Sequence, residues 1–412
     1  MTDKEFFKVT SLERVLELIG TFPCVDEEVL PLDQCVGRIL FQDTVSKIDL
    51  PEFNRATMDG YAVQAQSTFG ASESLPALLR IVGAVEMGEV PTVSVRPGEA
   101  VRIATGGMLP DGADSVVMIE HAQALDEHTL EVFKSVAPLQ HVIEVGEDFR
   151  REEQVLAKGS RIRPQEMGVL AALGKTHVTV YRQPTVATIS SGDEIVPIEQ
   201  NPSLSQLRDV NAYTLASLIR LSGGIPLYLG IARDNFDELH GLCKNALDQA
   251  DMVLISGGSS VGSRDFTLEV IEALPDAEIL VHGVSISPGK PTILAASKQK
   301  PIWGLPGQVT STMVVFHVMV RPMLRKIGGL SEDRLLAERE VSAVLSRNLA
   351  SVQGREDYVR VKLVHRENQI YAEPILGKSG LIHTMVKADG LVRIDINSEG
   401  LDKGTHVSVV MF

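Results

Sequence analysis

The residue types best suited to chemistry gather in Asp251-Met-Val-Leu-Ile-Ser-Gly-Gly-Ser-Ser-Val-Gly-Ser-Arg-Asp265. Ser256 to Arg264 is almost wholly Gly and Ser, and a loop of that kind can turn successive backbone N–H groups toward an anion. The apolar run Met252 to Ile255 ahead of it predicts a short buried strand. Phe266 to Leu274, behind it, carries apolar residues at helical spacing. A strand, a glycine loop and a helix together form the arrangement that binds phosphate at a helix N-terminus. Two familiar versions fail. Gly257 and Gly262 have the Walker A spacing, but Ser263-Arg264 stands where Lys-Ser/Thr is required. The dinucleotide fingerprint fails on its glycine spacing. Two readings stay open for this loop alone: a phosphate cradle of another kind, or a tight turn that needs glycine only for its backbone.

Its neighbours narrow the choice. From about 184 to 327 strands and helices alternate, which predicts a doubly wound, mostly parallel sheet. Ligands of such sheets bind beyond the carboxyl ends of the strands. The loops expected there are Ser190-Ser-Gly-Asp-Glu194, Ala232-Arg-Asp234, the opening loop, Ser287-Pro-Gly-Lys290 and Gly304-Leu-Pro-Gly307. They combine backbone donors and one Lys with the acids Asp193, Glu194, Asp234 and Asp265. Carboxylates beside a phosphate loop would repel the ligand unless a divalent cation bridges the two. Each acid alone reads as structural; Asp234 is placed to cap a helix and Asp265 stands at a helix start. As a set on one edge they point to a magnesium-dependent site for a phosphorylated ligand. Lys290, held between Gly289 and Pro291, is either an oxyanion clamp or a solvated loop lysine. His317 sits among apolar helix positions and reads as a packed core residue. No HExxH pairing and no GxSxG elbow is present, so neither a zinc hydrolase nor a serine nucleophile is indicated.

The elements that must hold these residues change in texture along the chain, whose length suits roughly two to four domains. A short amphipathic helix, Ser11 to Ile19, opens it, with Ser11 as its N-cap. From about 46 to 152 short β-like runs separated by turn signals predict a small all-β domain. Pro164 begins a helix that Gly174 ends. In the α/β part, Asn211 and Asp234 are read as helix caps, and the long helix Thr310 to Lys326 is expected to kink at Pro322. After Gly328-Gly329, the runs Tyr358–Val364, Leu391–Ile396 and His406–Val410 predict a small terminal β-domain.

Composition sets the outer limits. The 412 residues carry a formal net charge of −15, which disfavours a nucleic-acid partner. It also requires local cations wherever an anion binds. Three cysteines without CxxC spacing argue against a disulfide framework or zinc site and suit a reducing compartment. No signal-peptide pattern is visible and no apolar run approaches ~18 residues, so a cytoplasmic protein with no membrane partner is expected.

Several segments, taken in order, resemble one family. They are Thr57-Met-Asp-Gly-Tyr-Ala-Val63, Arg102-Ile-Ala-Thr-Gly106, Gly146-Glu-Asp148, Ser191-Gly-Asp-Glu194, Arg233-Asp234, Ser256 to Gly262 with Asp265, Pro288-Gly-Lys-Pro291 and Gly304-Leu-Pro-Gly307. The chain resembles the molybdopterin molybdenumtransferases, which include bacterial MoeA and the E-domain of gephyrin. The resemblance implies insertion of molybdate into adenylylated molybdopterin with release of AMP, assisted by magnesium. It implies a discontinuous first domain (1–45 and 153–183), the inserted β-domain (46–152), a molybdopterin-binding α/β domain (184–327) and a C-terminal β-barrel-like domain (328–412).

The resemblance also implies a homodimer with a shared cleft, in which Asp59, Thr105 and Asp148 of one copy face Glu194, Asp234 and Asp265 of the other. Lys290 joins the catalytic set; Glu194, Asp234 and Asp265 would hold the metal. Gly257, Gly258, Ser260, Gly262, Pro306, Ser311 and Arg355 would bind the pterin phosphate and oxyanion. An upstream adenylyltransferase and molybdoenzyme maturation proteins are the implied partners. The chain departs from the family in three places. Ser287 replaces the first Lys of Lys-Pro-Gly-Lys, Gln308-Val309 replace Asn-Pro, and Leu381 stands at a family serine with Ser379 close by. The choice between molybdate and tungstate therefore stays open, as do two alternatives: a non-catalytic pterin-binding scaffold and another magnesium-dependent nucleotidyl enzyme.

Overall fold

The computed structural model describes residues 9–257 and 266–412. Gly258, Ser260, Gly262 and Asp265 lie outside the described residues. Two compact units are present. One holds the N-terminal residues through Gln42 with Lys158–Gly168 and Thr176–Phe412; the other holds Asp43–Ala157 and Val169–Lys175.

The first unit contains the α/β sheet. Its strands are β1 (Thr185–Ser191), β2 (Ile225–Ala232), β3 (Met252–Ser256), β4 (Glu278–His282), β5 (Ile293–Ser297) and β6 (Lys300–Leu305), ordered β2-β1-β3-β6-β5-β4. β2, β1, β3 and β6 are parallel; β5 runs antiparallel to β6, and β4 antiparallel to β5. Every residue of β3 is buried, as a central strand covered on both faces must be. Side chains alternate between two cores. Val186, Met252, Leu254 and Trp303 face one, with Leu12, Val15 and Ile19 of the opening helix. Ala187, Val253, Ile255 and Ile302 face the other, with Leu239 and Cys243. The helices α1 (Val210–Leu221) and α2 (Phe236–Gln249) thus cover opposite faces.

Register decides what reaches the functional edge. Ser191 stands opposite Ala232, Ser190 opposite Ser256, and Ser256 opposite Leu305. Ile293, at the start of β5, stands opposite Gly304 near the end of β6. Because β5 runs backwards, the Ser287–Pro291 segment arrives at the same edge as the parallel carboxyl ends.

Three local expectations are corrected. Asp209, not Asn211, caps α1, accepting from Ala212 N at 3.0 Å; standing two residues earlier, it reaches the first-turn donor that Asn211 has already passed. Asn235, not Asp234, caps α2, accepting from Asp237 N and Glu238 N at 2.9 and 3.3 Å. The final helical run has α-helix over Val309–Val315, a π-turn over Phe316–Val320 and α-helix over Arg321–Ile327. Pro322 has no N–H to give to the preceding turn, and the ladder accommodates this one turn upstream, where Arg321 N bonds Phe316 O. His317 is buried there, against Phe316 and Phe412. Burial pushes its imidazole down to about 3, with Arg321 and Arg325 adding to the shift.

Asp251, at the opposite end of β3, locks the strands. It takes both terminal nitrogens of Arg182 at 2.6 Å and Thr185 N at 2.8 Å. Burial works to raise its carboxyl, but the Arg182 and Thr185 bonds outweigh it and the net shift is downward. Its stabilising contribution is therefore present above the ordinary carboxylate range and fades as pH falls through the lowered value. Asp251→Asn should lower stability by about 2 kcal/mol in denaturant titrations, and that deficit should shrink in acid.

The same unit carries a five-stranded closed barrel. Its strands are Glu340–Leu345, Glu356–Arg366, Gln369–Pro374, Gly390–Ile394 and His406–Met411, closed by pairing of the second with the fourth. Two of these, Glu340–Leu345 and Gln369–Pro374, were absent from the sequence expectation. Ile286–Ser287 pairs in parallel with Glu356-Asp357. Glu27–Pro31 pairs with His177–Tyr181, joining segments from both sides of the second unit's sequence. Among the described residues, no helix is long and apolar enough to cross a membrane.

The second unit is built on a six-stranded sheet. Its order is Ser115–Met118, Gly60–Val63, Glu99–Ile103, Ala77–Val85, Thr129–Val132, Ala122–Ala124, with an apolar core on each face.

Candidate active site

A cavity of about 990 Å³ opens at the carboxyl edge of the sheet. One wall comes from the ends of β1 and β3. Gly257 adopts φ +114°, and a Cβ there would lie 2.1 Å from the Ser191 carbonyl oxygen. Only glycine lets these two chain ends come so close. Ser190, Ser191, Ser256 and Gly257 all line the cavity.

The acids gather beside them. Gly192 N donates to Ala232 O at 3.1 Å, fastening the loop after β1 to the end of β2. The Glu194 carboxylate folds back over Gly192, where an added Cβ would meet its Oε2 at 2.8 Å, and Glu194 lines the cavity. Asp234 accepts from Ser191 Oγ at 3.3 Å, and its N–H donates to Asp193 Oδ1 at 3.2 Å. Asp193, Glu194 and Asp234 are all exposed. Asp234 is available for this because Asn235 has taken over the cap. Oxygen donors of this kind suit a hard cation such as magnesium. Among the described residues no group of three or more His, Cys, Asp or Glu side chains is placed to hold a metal ion; the third expected ligand, Asp265, lies outside them.

The facing wall starts at the N-terminus of α1. Asp209 is buried and takes the Tyr228 hydroxyl at 3.0 Å in addition to its capping bond. Burial, and then the Asp209 carboxylate, push the Tyr228 phenol up, so it stays a donor. Asn211 Nδ2 donates to Gly307 O at 2.9 Å, tying α1 to the Gly304–Gly307 turn. Pro306, Gly307, Gln308, Val309 and the buried Ser311 line the cavity here. Thr310 N donates to Ser379 O at 3.1 Å, which carries Gly380 and Ile382 onto the same wall. The departures Gln308 and Val309, and the residues flanking Leu381, thus meet at one place.

Lys290 has an exposed side chain next to Pro291, which lines the cavity. Its carbonyl accepts from Val284 N at 2.9 Å. Arg355 Nε lies 3.2 Å from Asp357 Oδ1, and Asp357 stands opposite Ser287, so Ser287 and Arg355 belong to one neighbourhood. In the second unit, Asp59 Oδ1 accepts from Thr105 N at 2.7 Å and from Thr105 Oγ1 at 2.9 Å. Those bonds hold the Asp59 carboxyl below its ordinary range. Asp148 is exposed on a separate turn, its N–H bonded to Leu50 O at 3.0 Å.

Sequence reasoning missed Arg208, Asp209 and Asn211. Arg208 is the only cation lining the cavity among the described residues, and its guanidinium is held by Ile198 O and Asn201 Oδ1 at 2.9 and 3.2 Å. The spacing Asp209-x-x-Ala212 is an equally good capping pattern and would have released Asn211 for another role.

Three family descriptions match in order: the MoeA N-terminal region (domain I and II) over residues 10–174, a "Probable molybdopterin binding domain" over 187–326, and the MoeA C-terminal region (domain IV) over 342–412. A molybdopterin molybdenumtransferase from Haemophilus influenzae is 31% identical over 93% of this chain and 94% of its own length. Two crystal structures of molybdopterin biosynthesis MoeA proteins from Pyrococcus horikoshii are similar throughout. One is 37% identical with a TM-score of 0.78, covering 98% of this chain and 99% of the other. The second is 29% identical with a TM-score of 0.84, covering 98% and 100%.

Proposed function

This chain belongs to the MoeA family of molybdopterin molybdenumtransferases, and from that premise we propose that it inserts molybdate into adenylylated molybdopterin and releases AMP. The observation that supports this most is convergence. Glu194, Gly257, and Pro306 with Ser311 come from three separate segments and line one cavity at the carboxyl edge of the sheet. That cavity has room for an extended ligand, since small-molecule sites span ~300–1,000 Å³.

Glu194 and Asp234, with Asp265, would hold magnesium, which when bound neutralises charge on the phosphate oxygens. The backbone at Ser256-Gly257 would receive the pterin phosphate. Arg208 is placed to offset anionic charge on the facing wall. Lys290 and Arg355 would take the oxyanion. A homodimer is part of the proposal, with Asp59, Thr105 and Asp148 supplied from a second copy. An adenylylating enzyme must act before this one, and maturation proteins of molybdoenzymes after it.

Purified protein given adenylylated molybdopterin, molybdate and magnesium should release AMP stoichiometrically with metal insertion. Because Gln308, Val309 and the Leu381 segment depart from the family around the cavity, tungstate is run in parallel. A higher rate with tungstate reassigns the oxyanion. No AMP above a metal-free control with either oxyanion overturns the reaction and leaves a pterin-binding scaffold.

A further inference from the structure

A second set of cations lies at the other end of the same sheet. Arg182–Pro184 lead into β1 and Ser222-Gly223 into β2, so the amino edge is built from these residues. There Arg38, Arg161, Arg182 and Arg325 line a crevice of about 30 Å³, and among the described residues no Asp or Glu lines it. In a chain of net charge −15, a crevice lined by four arginines and, among the described residues, no acid is an unusual concentration of positive charge.

Three of the four have partners, and the carboxylates among those partners do not line the crevice. Arg38 pairs with Glu28 and donates to Tyr181 O at 2.8 Å. Arg182 makes its two bonds to Asp251. Arg325 bonds Glu338 at 2.8 Å and the carbonyls of Leu335 and Ala337 at 3.0 and 3.3 Å. Even so, Arg325 Nε is buried with no hydrogen-bond partner among the described residues. The Arg161 guanidinium has neither a carboxylate nor a hydrogen-bond partner among the described residues. It is half-buried, and burial, then the like charge of Arg325, weaken its hold on its proton. No Arg161 nitrogen is among the buried atoms left without a partner, so the guanidinium still meets solvent, and an anion could join it there without first displacing a protein partner.

The size of the crevice limits the occupant. One water needs ~10–15 Å³, so the space holds about two water-sized groups. A nucleotide or a pterin is too large to enter it. Two oxygens of a compact oxyanion fit, and the planar forks of arginine match that shape. We infer that the Arg161 crevice is a binding site for a compact tetrahedral oxyanion of the phosphate or sulfate class, separate from the cavity at the carboxyl edge. This does not depend on the transferase reading.

Equilibrium dialysis of the full chain with labelled inorganic phosphate, at constant ionic strength in chloride, tests it. Arg161→Gln should remove one equivalent of saturable binding, or weaken it at least tenfold. Lys290→Ala should leave that equivalent in place. Arg161 has no partner to lose, so Arg161→Gln should melt no lower than wild type in chloride. Phosphate should then raise the melting temperature of wild type more than that of the variant. Arg161→Lys keeps the charge but not the fork and should bind with intermediate affinity, which decides the matter should the Gln variant fold poorly. Equal phosphate binding by wild type, Arg161→Gln and Arg161→Lys overturns the inference. So does a change of oligomeric state on sedimentation of Arg161→Gln, which would assign the crevice to a carboxylate of a second copy.

Discussion

Glu194→Gln is expected to lower the rate of AMP release on the order of 10²–10³-fold while leaving the unfolding midpoint nearly unchanged. The two halves of this expectation come from different observations. Glu194 lines the cavity and its carboxylate lies over Gly192, so the substitution removes negative charge where the cation is proposed to sit. The same side chain is exposed, and substitutions at such positions usually stay within about 0.5 kcal/mol. Gln keeps the size and an oxygen but is a weaker ligand for a hard cation. The magnesium concentration for half-maximal rate should therefore rise together with the fall in turnover. Parallel measurement of turnover, magnesium dependence and thermal unfolding separates the cases. Unchanged turnover removes Glu194 from the proposed site. A fall in turnover matched by a fall in melting temperature makes its role structural.

Asp234→Asn is a more ambiguous probe, for reasons that show where sequence reading stops. Its carboxylate accepts from Ser191 Oγ, and its N–H meets Asp193, so substitution disturbs the loop as well as the charge. From the chain alone Asp234 had a ready structural role as a helix cap. That role passes to Asn235 because Asn235 reaches two first-turn amides at once. Local chemistry admitted both residues, and only the three-dimensional path of the loop chose between them.

The strands of the α/β sheet were legible because each is a short apolar run bounded by turn residues. Their shared edge followed from the rule for parallel sheets. The reversed direction of β5 was not legible, although it is what delivers Ser287–Pro291 to that edge. Asn211 posed a similar problem. Its partner, Gly307, is 96 residues away, and no local pattern encodes such a contact. In the barrel, Glu340–Leu345 and Gln369–Pro374 are each six residues long. Both carry a polar end, and the second ends in proline, so neither has enough alternation to stand out from a loop.

Gly257→Ala should be the most damaging single methyl that can be added at this edge. The residue has φ +114°, and the new Cβ would stand 2.1 Å from Ser191 O and 3.1 Å from its carbon. A flexible side chain could move aside, but the obstacle is backbone. Ser190 is paired in register with Ser256, and Ser191 and Ser256 are each 4% exposed, so neither strand end has room to yield. A left-handed conformation costs an alanine about 1–2 kcal/mol, and overpacking adds about 1–3 kcal/mol. A loss of about 2–5 kcal/mol in denaturant titrations is the sum of these two effects. Turnover of the fraction that still folds should drop on the order of 10²-fold, because displacing Ser191 also displaces the hydroxyl bonded to Asp234. Gly307→Ala supplies the control from the opposite wall. Among the described residues a Cβ there meets only the Gly257 Cα, at 3.5 Å, an ordinary contact, and stability should stay close to wild type. If the two alanine variants prove equally stable, the close approach of β1 and β3 does not constrain the fold, and the placement of the Ser256-Gly257 backbone as a phosphate receiver loses its physical basis.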